Sequence, residues 1–452
     1  MNWRKPIYIL KLRLRSPALL RNLAEFERTQ WYSFEQLKEY QSEQLNKLLR
    51  HASQHVPYYR KILQECGVLR EGNIIDLDKF SEIPFLTKSI IREHFEELKS
   101  DDLDRRDWFQ NTSGGSTGEP VIFIQDREYT NRSFAKALLA KKMAGKDLCE
   151  PEIDLWGSTR DLFRETKGLR TKIDNFIMNR RLLNCFKMSQ EDMREYIRQI
   201  NLVRPKLIFA YAQSAYELGR FSLEQSLPIE GVGAVMTSAN TLYPFMREII
   251  TQAFHAPVFN HYGSREVGSI ATECEAHLGL HVHMETQFVE IINDQGRPCK
   301  PGEEGEIVIT NLINYAMPLI RYRIGDRGIW SSQKCICGRG SSLLKTITGR
   351  IGGIFLTKEG DKVYGGYFTR LIYFRNWVQK FQFIQEELEL IKVKIKKKAE
   401  PPIEDLKKIE EGIRLVMGQS CKVEFEFVDD IPPLSSGKYQ YTISKVLKDE
   451  GM

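Results

Sequence analysis

Between residues 120 and 330 short apolar runs alternate with helical stretches, and this alternation constrains the fold more than any other feature of the chain. Residues 206–211, Lys-Leu-Ile-Phe-Ala-Tyr, have strand length and composition. Residues 214–221 keep helical spacing, and residues 231–236 are strand-like again. Strands that alternate with helices build sheets whose faces the helices cover, because each apolar face must be buried against another layer. Residues 306–310 add a strand after the turn Pro301-Gly302. Near residue 350 the character changes. Residues 386–397 alternate with period two over Leu388 and Leu390, then over Val393 and Ile395 after a one-residue slip. Ile403, Leu406, Ile409, Ile413 and Val416 follow as a helical stripe, and residues 422–428 alternate once more. The expectation is a large α/β N-terminal domain with helix-covered sheets, residues 1–349, and a small mobile α+β C-terminal domain, residues 350–452. Upstream, residues 33–66 read as helical from an N-cap at Ser33, with a break at Val56-Pro57.

Charge and apolar runs exclude several classes. Lys plus Arg number 66 against 60 Asp plus Glu, a net charge of +6 spread over 452 residues. That is no concentrated basic face, so no nucleic-acid partner is expected. No apolar run approaches the roughly 18 residues of a bilayer span. The first 24 residues carry six basic groups and no acid. Residues 1–30 read as a solvated basic arm, with peripheral contact to an anionic surface as the alternative. The eight cysteines are unevenly spread, which points to free thiols and a metal site in a reducing cytoplasm rather than a disulfide framework.

Three segments carry recognisable chemistry, and two more are weaker. Residues 111–120, Asn-Thr-Ser-Gly-Gly-Ser-Thr-Gly-Glu-Pro, place Gly114, Gly115 and Gly118 among Ser113, Ser116 and Thr117. Glycines let several N–H groups converge on an anion, and the hydroxyls add donors. No Gly-Lys-Ser/Thr follows, so this is not the Walker pattern, and on composition alone an ordinary polar loop is the simpler reading. Residues 260–268, Asn-His-Tyr-Gly-Ser-Arg-Glu-Val-Gly, set Tyr262 and Glu266 on either side of Gly263. An aromatic ring can stack on a nucleobase, and a carboxylate can hold Mg²⁺ beside phosphates. A plain turn is an equal reading. Residues 321–326 end in Asp326, a two-oxygen acceptor suited to a ribose, or else an Asx turn. Arg350, in Thr-Gly-Arg, and Lys438, in Leu-Ser-Ser-Gly-Lys, are weaker signals.

The order of these five segments is more specific than any one of them. It resembles the adenylate-forming ligase superfamily, and within it the phenylacetate–CoA ligase and CapK capsular polysaccharide branch. The resemblance runs from about residue 30 to 447 and takes in Val56-Pro-Tyr-Tyr and Ile83-Pro-Phe-Leu-Thr-Lys. It implies the adenylate-forming ligase fold, with the glycine loop at 112–120 and a Tyr-Gly-x-x-Glu motif at 262–266. It further implies a ribose aspartate at Asp326, a hinge-preceding Arg350 and a catalytic Lys438. Glu266 would act with Mg²⁺ on ATP. The implied reaction activates a carboxylic acid as acyl-AMP, then passes it to CoA, to a carrier-protein thiol or to an amine. Service in polysaccharide biosynthesis would make a sugar a further acceptor. The alternatives are a nucleotidyltransferase that leaves AMP on a metabolite and a relative that binds without turnover. Two positions depart from the superfamily. Val121 stands where many members carry lysine, as in the phenylacetate branch, and Gly352 replaces the usual acidic or lysine hinge residue. The acid would lie near residues 155–163, 211–216 and 236–240.

Cys274, His281, Cys335 and Cys337 form a candidate Cys₃His zinc set, with His277 competing for the imidazole position. Members of the resembled branch carry such a site. It would be structural Zn²⁺, bracing the segment after Glu266 against the strand after Asp326. Cys66, Cys149, Cys185, Cys299 and Cys421 suggest only burial or neutral surface.

Overall fold

The computed structural model describes residues 2–113, 121–156, 169–185, 188–350, 354–360, 362–372, 375–432 and 439–446. The first expectation to be met is local. Ser33 Oγ accepts from Gln36 N while the Gln36 side chain accepts from Ser33 N, a capping box that starts the helix Phe34–His55. Val56 is extended, and Pro57 opens the next helix, Pro57–Glu65, so the chain bends without an unsatisfied donor.

Eleven strands form one sheet with two halves. Arg180–Asn184, Glu152–Trp156, Leu207–Tyr211, Val235–Ser238 and Val258–Ser264 lie side by side in that order and run parallel. From Val258–Ser264 the sheet continues antiparallel through Gly268–Glu273, Leu280–Val282, Leu343–Arg350, Tyr322–Trp330, Glu304–Asn311 and Gln287–Ile292. The strand Val258–Ser264 is therefore a junction: Asn260 pairs in parallel with Thr237, whereas Tyr262 and Gly263 pair antiparallel with the next strand. Helices Ala212–Glu224 and Pro244–Phe254 cover the parallel half, burying Leu218, Met246, Ile250 and Phe254. The segment Ile83-Pro-Phe-Leu is stitched to the antiparallel half, where Leu86 forms a parallel bridge with Tyr322. Arg321 fixes it there by donating to the Ile83 carbonyl at 2.6 Å and pairing with Glu290 at 3.1 Å.

The solvated N-terminal arm is corrected. Residues 4–29 fold into two helices, Arg4–Arg15 and Pro17–Thr29. Leu19, Leu23 and Phe26 pack on Ala135, Leu138 and Leu139 of the helix Arg127–Met143. Each such side chain contributes roughly 1.5–3 kcal/mol when buried, which outweighs leaving the segment free in water.

After Leu343–Arg350 a second, four-stranded sheet forms in the order Lys422–Phe427, Leu390–Lys397, Val378–Glu387 and Thr442–Ser444. The one-residue slip expected at 386–397 is a turn between two antiparallel strands. Leu388 lies in that turn, and the inward phase is Ile391, Val393 and Ile395, all fully buried. The helix Ile403–Met417 packs Ile409, Ile413 and Met417 on this sheet. The intervening lysines turn outward, where Lys396 faces Asp430 at 3.4 Å.

Candidate active site

A hairpin flanks the glycine-rich segment in the chain. Trp108–Thr112 and Ile122–Asp126 pair antiparallel, with Thr112 opposite Ile122. At its neck Ser113 N donates to the Val121 carbonyl and Ser113 Oγ accepts from Val121 N, both at 2.9 Å. Ser113 thus closes the loop and keeps its hydroxyl proton to donate. Gly114, Gly115, Ser116, Thr117 and Gly118 lie outside the described residues.

Gln125 ties this hairpin to the second motif. Its Nε2 donates to the carbonyls of Arg265, at 2.8 Å, and Glu266, at 3.2 Å. Two more buried amides hold the residue after Glu266: Gln287 Nε2 and Asn311 Nδ2 both donate to the Val267 carbonyl, at 2.7 and 3.0 Å. The turn is thus anchored by side chains from three strands before any ligand arrives. Its glycines are steric requirements. A Cβ on Gly263 would meet the Gly268 carbonyl at 2.7 Å. Gly268 has φ +78°, and a Cβ there would meet Ser133 Oγ at 2.4 Å. Glu266 itself is buried, and its charge adds to burial in pushing the Tyr129 hydroxyl above its ordinary range.

Tyr262 and Asp326, predicted separately, meet: Tyr262 Oη donates to Asp326 Oδ2 at 2.8 Å. Arg350 pairs in register with Asp326 on the adjacent strand. Residues expected on the nucleotide side thus gather near the strand where the sheet changes from parallel to antiparallel. In open α/β sheets ligands bind beyond the carboxyl ends of the parallel strands, where the strand order reverses, here between Glu152–Trp156 and Leu207–Tyr211.

Those carboxyl ends also carry aromatic side chains. Trp156 stacks on Phe209 at 5.1 Å and lies 4.0 Å from Tyr211, while Phe209 meets His261 edge-on at 6.0 Å. His261 bonds on both sides, to Ser238 Oγ at 3.3 Å and to Ser269 Oγ at 2.8 Å. Burial, with the charge of Lys141, pushes its pKa down to about 4, so the ring is neutral at pH 7. Of the acid-side expectations, residues 157–163 lie outside the described residues. Met236 is buried, packed with Ala140 and Phe259, with Phe209 against the same cluster. Tyr216 lies edge-on to Phe245 of the helix Pro244–Phe254 at 5.3 Å and lines one cavity with Phe381 and Tyr441 of the C-terminal region.

Lys438 lies outside the described residues, but its neighbour in sequence is well placed. The Tyr439 carbonyl accepts from Asn240 Nδ2 at 3.0 Å, just past the strand Val235–Ser238. Tyr441 Oη donates to Gln213 Oε1, and Arg220 Nη1 donates to the Gln379 carbonyl at 3.0 Å. These contacts were not predicted. Neither was Gln125, although a glutamine directly after the apolar run Ile122-Phe-Ile is a signal the sequence did carry.

The metal set also assembles. The donor atoms of Cys274, His281, Cys335 and Cys337 all lie within 4.8 Å of one another. Cys274 Sγ is 3.5 Å from Cys335 Sγ, and Cys337 Sγ is 3.4 Å from His281 Nε2. His281 Nδ1 bonds Ser341 Oγ at 2.9 Å, which fixes the ring with Nε2 facing the thiols. Burial pushes His281 down to about 4 and Cys274 up to about 12. Three thiols and a neutral imidazole so close together fit a tetrahedral zinc. His277 is not in the cluster; it sits 3.3 Å from Glu273 and against the Phe259 ring.

With this geometry in hand, the similarities to known proteins are consistent. The CapK C-terminal domain family matches residues 355–445. Protein CapK of Staphylococcus aureus is 22% identical over 416 residues, covering 91% of this chain and 90% of the relative. The phenylacetate-coenzyme A ligase of Thermus thermophilus is 25% identical over 356 residues, 73% of this chain and 74% of that protein. The chain is a homologue of CapK and the phenylacetate–CoA ligases. Its fold is that of the adenylate-forming ligases. A 2-hydroxyisobutyryl-CoA ligase in the postadenylation state superposes with a TM-score of 0.71 at 17% identity, over 91% of this chain and 90% of the other. The same ligase in the thioesterification state gives 0.57 at 17% identity, over 92% and 91%.

Proposed function

We propose that this protein activates a carboxylic acid with ATP as acyl-AMP and then transfers the acyl group to a thiol, CoA or a carrier protein. The observation that carries the reading is the Tyr262–Asp326 hydrogen bond beside the bracketed Glu266 turn, where the sheet passes from parallel to antiparallel. Two anions must meet in this reaction, so the protein has to supply positive charge and fixed donors before attack. In this reading the backbone of 113–118 and the ammonium of Lys438 serve the phosphates. Asp326 holds the ribose, and Tyr262, its hydroxyl committed to Asp326, offers its ring to adenine. Glu266 would hold Mg²⁺, which neutralises phosphate charge. Trp156, Phe209 and Tyr211 form one wall of the acid pocket, and neutral His261 supplies a polar contact without a charge. Cys274, His281, Cys335 and Cys337 would hold a structural Zn²⁺ that leaves no open ligand position. The likeness to CapK alone supports a place in polysaccharide biosynthesis.

Lys438→Ala tests the reading. Loss of one such charge contact typically costs about a hundredfold or more in rate. The variant should keep its circular dichroism and lose acid-dependent pyrophosphate exchange. Exchange at the wild-type rate refutes the assignment of Lys438. With labelled ATP, free AMP after turnover supports the ligase, whereas AMP retained on the product overturns it in favour of a nucleotidyltransferase.

A further inference from the structure

The helix Arg4–Arg15 has two apolar faces. Tyr8 and Leu12 turn inward and are buried. Trp3, just before it, and Ile7, Leu10 and Leu14 are 52%, 46%, 58% and 77% exposed. At about 100° per residue these four fall within about 60° of one another, opposite Tyr8 and Leu12. The helix Leu169–Met178 widens the stripe with Ile173 and Phe176, 47% and 60% exposed. The two helices are joined along this face. The Trp3 and Phe176 rings lie 6.2 Å apart, and the Arg4 guanidinium sits 4.7 and 5.1 Å from them. Lys11 pairs with Asp174. Six large apolar side chains side by side mark an interaction surface.

Charge selects the partner. The first 24 residues hold six basic groups and no acid. Lys5 and Lys11 are paired within the fold, to Asp147 and Asp174. Arg13, Arg15 and Arg21 are exposed and, among the described residues, have no ion-pair partner. Around the helix Arg13 flanks the stripe on one side, with Lys11 and Arg15 on the other. An apolar stripe between cations suits the plane of a bilayer interface. The leucines reach the acyl boundary, Trp3 sits at headgroup depth, and the arginines meet lipid phosphates. Packing this face on a second copy of itself would bring like charges together. No described helix is long and apolar enough to cross a membrane, so the contact is peripheral. We propose that this face docks the protein reversibly on an anionic membrane surface. This goes beyond the catalytic reading and does not depend on it.

The test is co-sedimentation of the full chain with vesicles of phosphatidylcholine, with and without roughly one-third phosphatidylglycerol, at low and high salt. The expected result is binding to the anionic vesicles that salt weakens. Leu10→Glu/Leu14→Glu should lower the partition at least about tenfold. Arg13→Ala and Arg15→Ala should each lower it about fivefold. All variants should keep wild-type circular dichroism and pyrophosphate exchange. Equal partition of the leucine variant and the wild type overturns the proposal, as does absence of vesicle binding. A wild-type dimer that the leucine variant dissociates, with no vesicle binding, also overturns it and assigns the face to self-association.

Discussion

The hairpin of Val258–Ser264 and Gly268–Glu273 carries different chemistry at its two ends. At the turn end, Glu266 and Val267 are held by Gln125, Gln287 and Asn311, so the protein's own hydrogen bonds fix the geometry. At the other end, Cys274 meets Cys335, Cys337 and His281, three thiols and an imidazole whose donor atoms all lie within 4.8 Å of one another. The first end is organised before its ligand arrives; the second is an arrangement that a metal would complete. On the proposed reading, one strand pair separates a site for chemistry from a site for bracing. Damage to the turn should cost rate at little cost in stability, and damage to the cluster should do the reverse.

The sharpest break of that contrast is Glu266→Gln. Pyrophosphate exchange should fall by about a hundredfold or more while the melting temperature holds; a stability loss matching the loss in rate would erase the distinction. Next is the cluster. Cys274→Ser, or incubation with a strong zinc chelator, should lower Tm by roughly 5–10 °C, and exchange measured well below the new Tm should persist. Atomic absorption on the wild type should find zinc. The third test uses His261, buried and neutral with a pKa near 4. Its unfolded form titrates near 6.5, so stability is complete above that value. Between pH 6.5 and 4 the unfolded state binds the extra proton, and stability falls by up to about 1.4 kcal/mol per pH unit. Urea unfolding of His261→Gln should show a shallower acid slope than the wild type. The smallest effect is expected of Gln125→Leu. It leaves the Arg265 and Glu266 carbonyls without that donor, costing about 1–3 kcal/mol. Because it acts through the turn, exchange should fall about tenfold as well, which makes it the one variant that moves both readouts.

Much of this was legible in the sequence. The Tyr-Gly-x-x-Glu spacing, the Asp326 segment and the Cys-x-Cys pair each carry local chemistry, and local chemistry survives in one dimension. The choice between His277 and His281 was not legible. The two lie four residues apart, and only the pairing of Leu280–Val282 with Leu343–Arg350 brings His281 to the cysteine loop. Residues 1–30 were misread for a related reason. Their charge is visible in the sequence, but the face of the Arg127–Met143 helix that buries Phe26 lies more than a hundred residues away.

By itself the sequence determined the alternation of strands and helices, the N-cap at Ser33 and the ordered set of motifs, because these depend on neighbours within a few residues. Only the tertiary structure decided that Tyr262 and Asp326 share a hydrogen bond, that Asn240 holds the chain beside Lys438, and that the N-terminal helix keeps one apolar face outward. The two hydrogen bonds join residues far apart in the chain. Such contacts form only once burial of the intervening layers has offset the entropy of closing the loops between them.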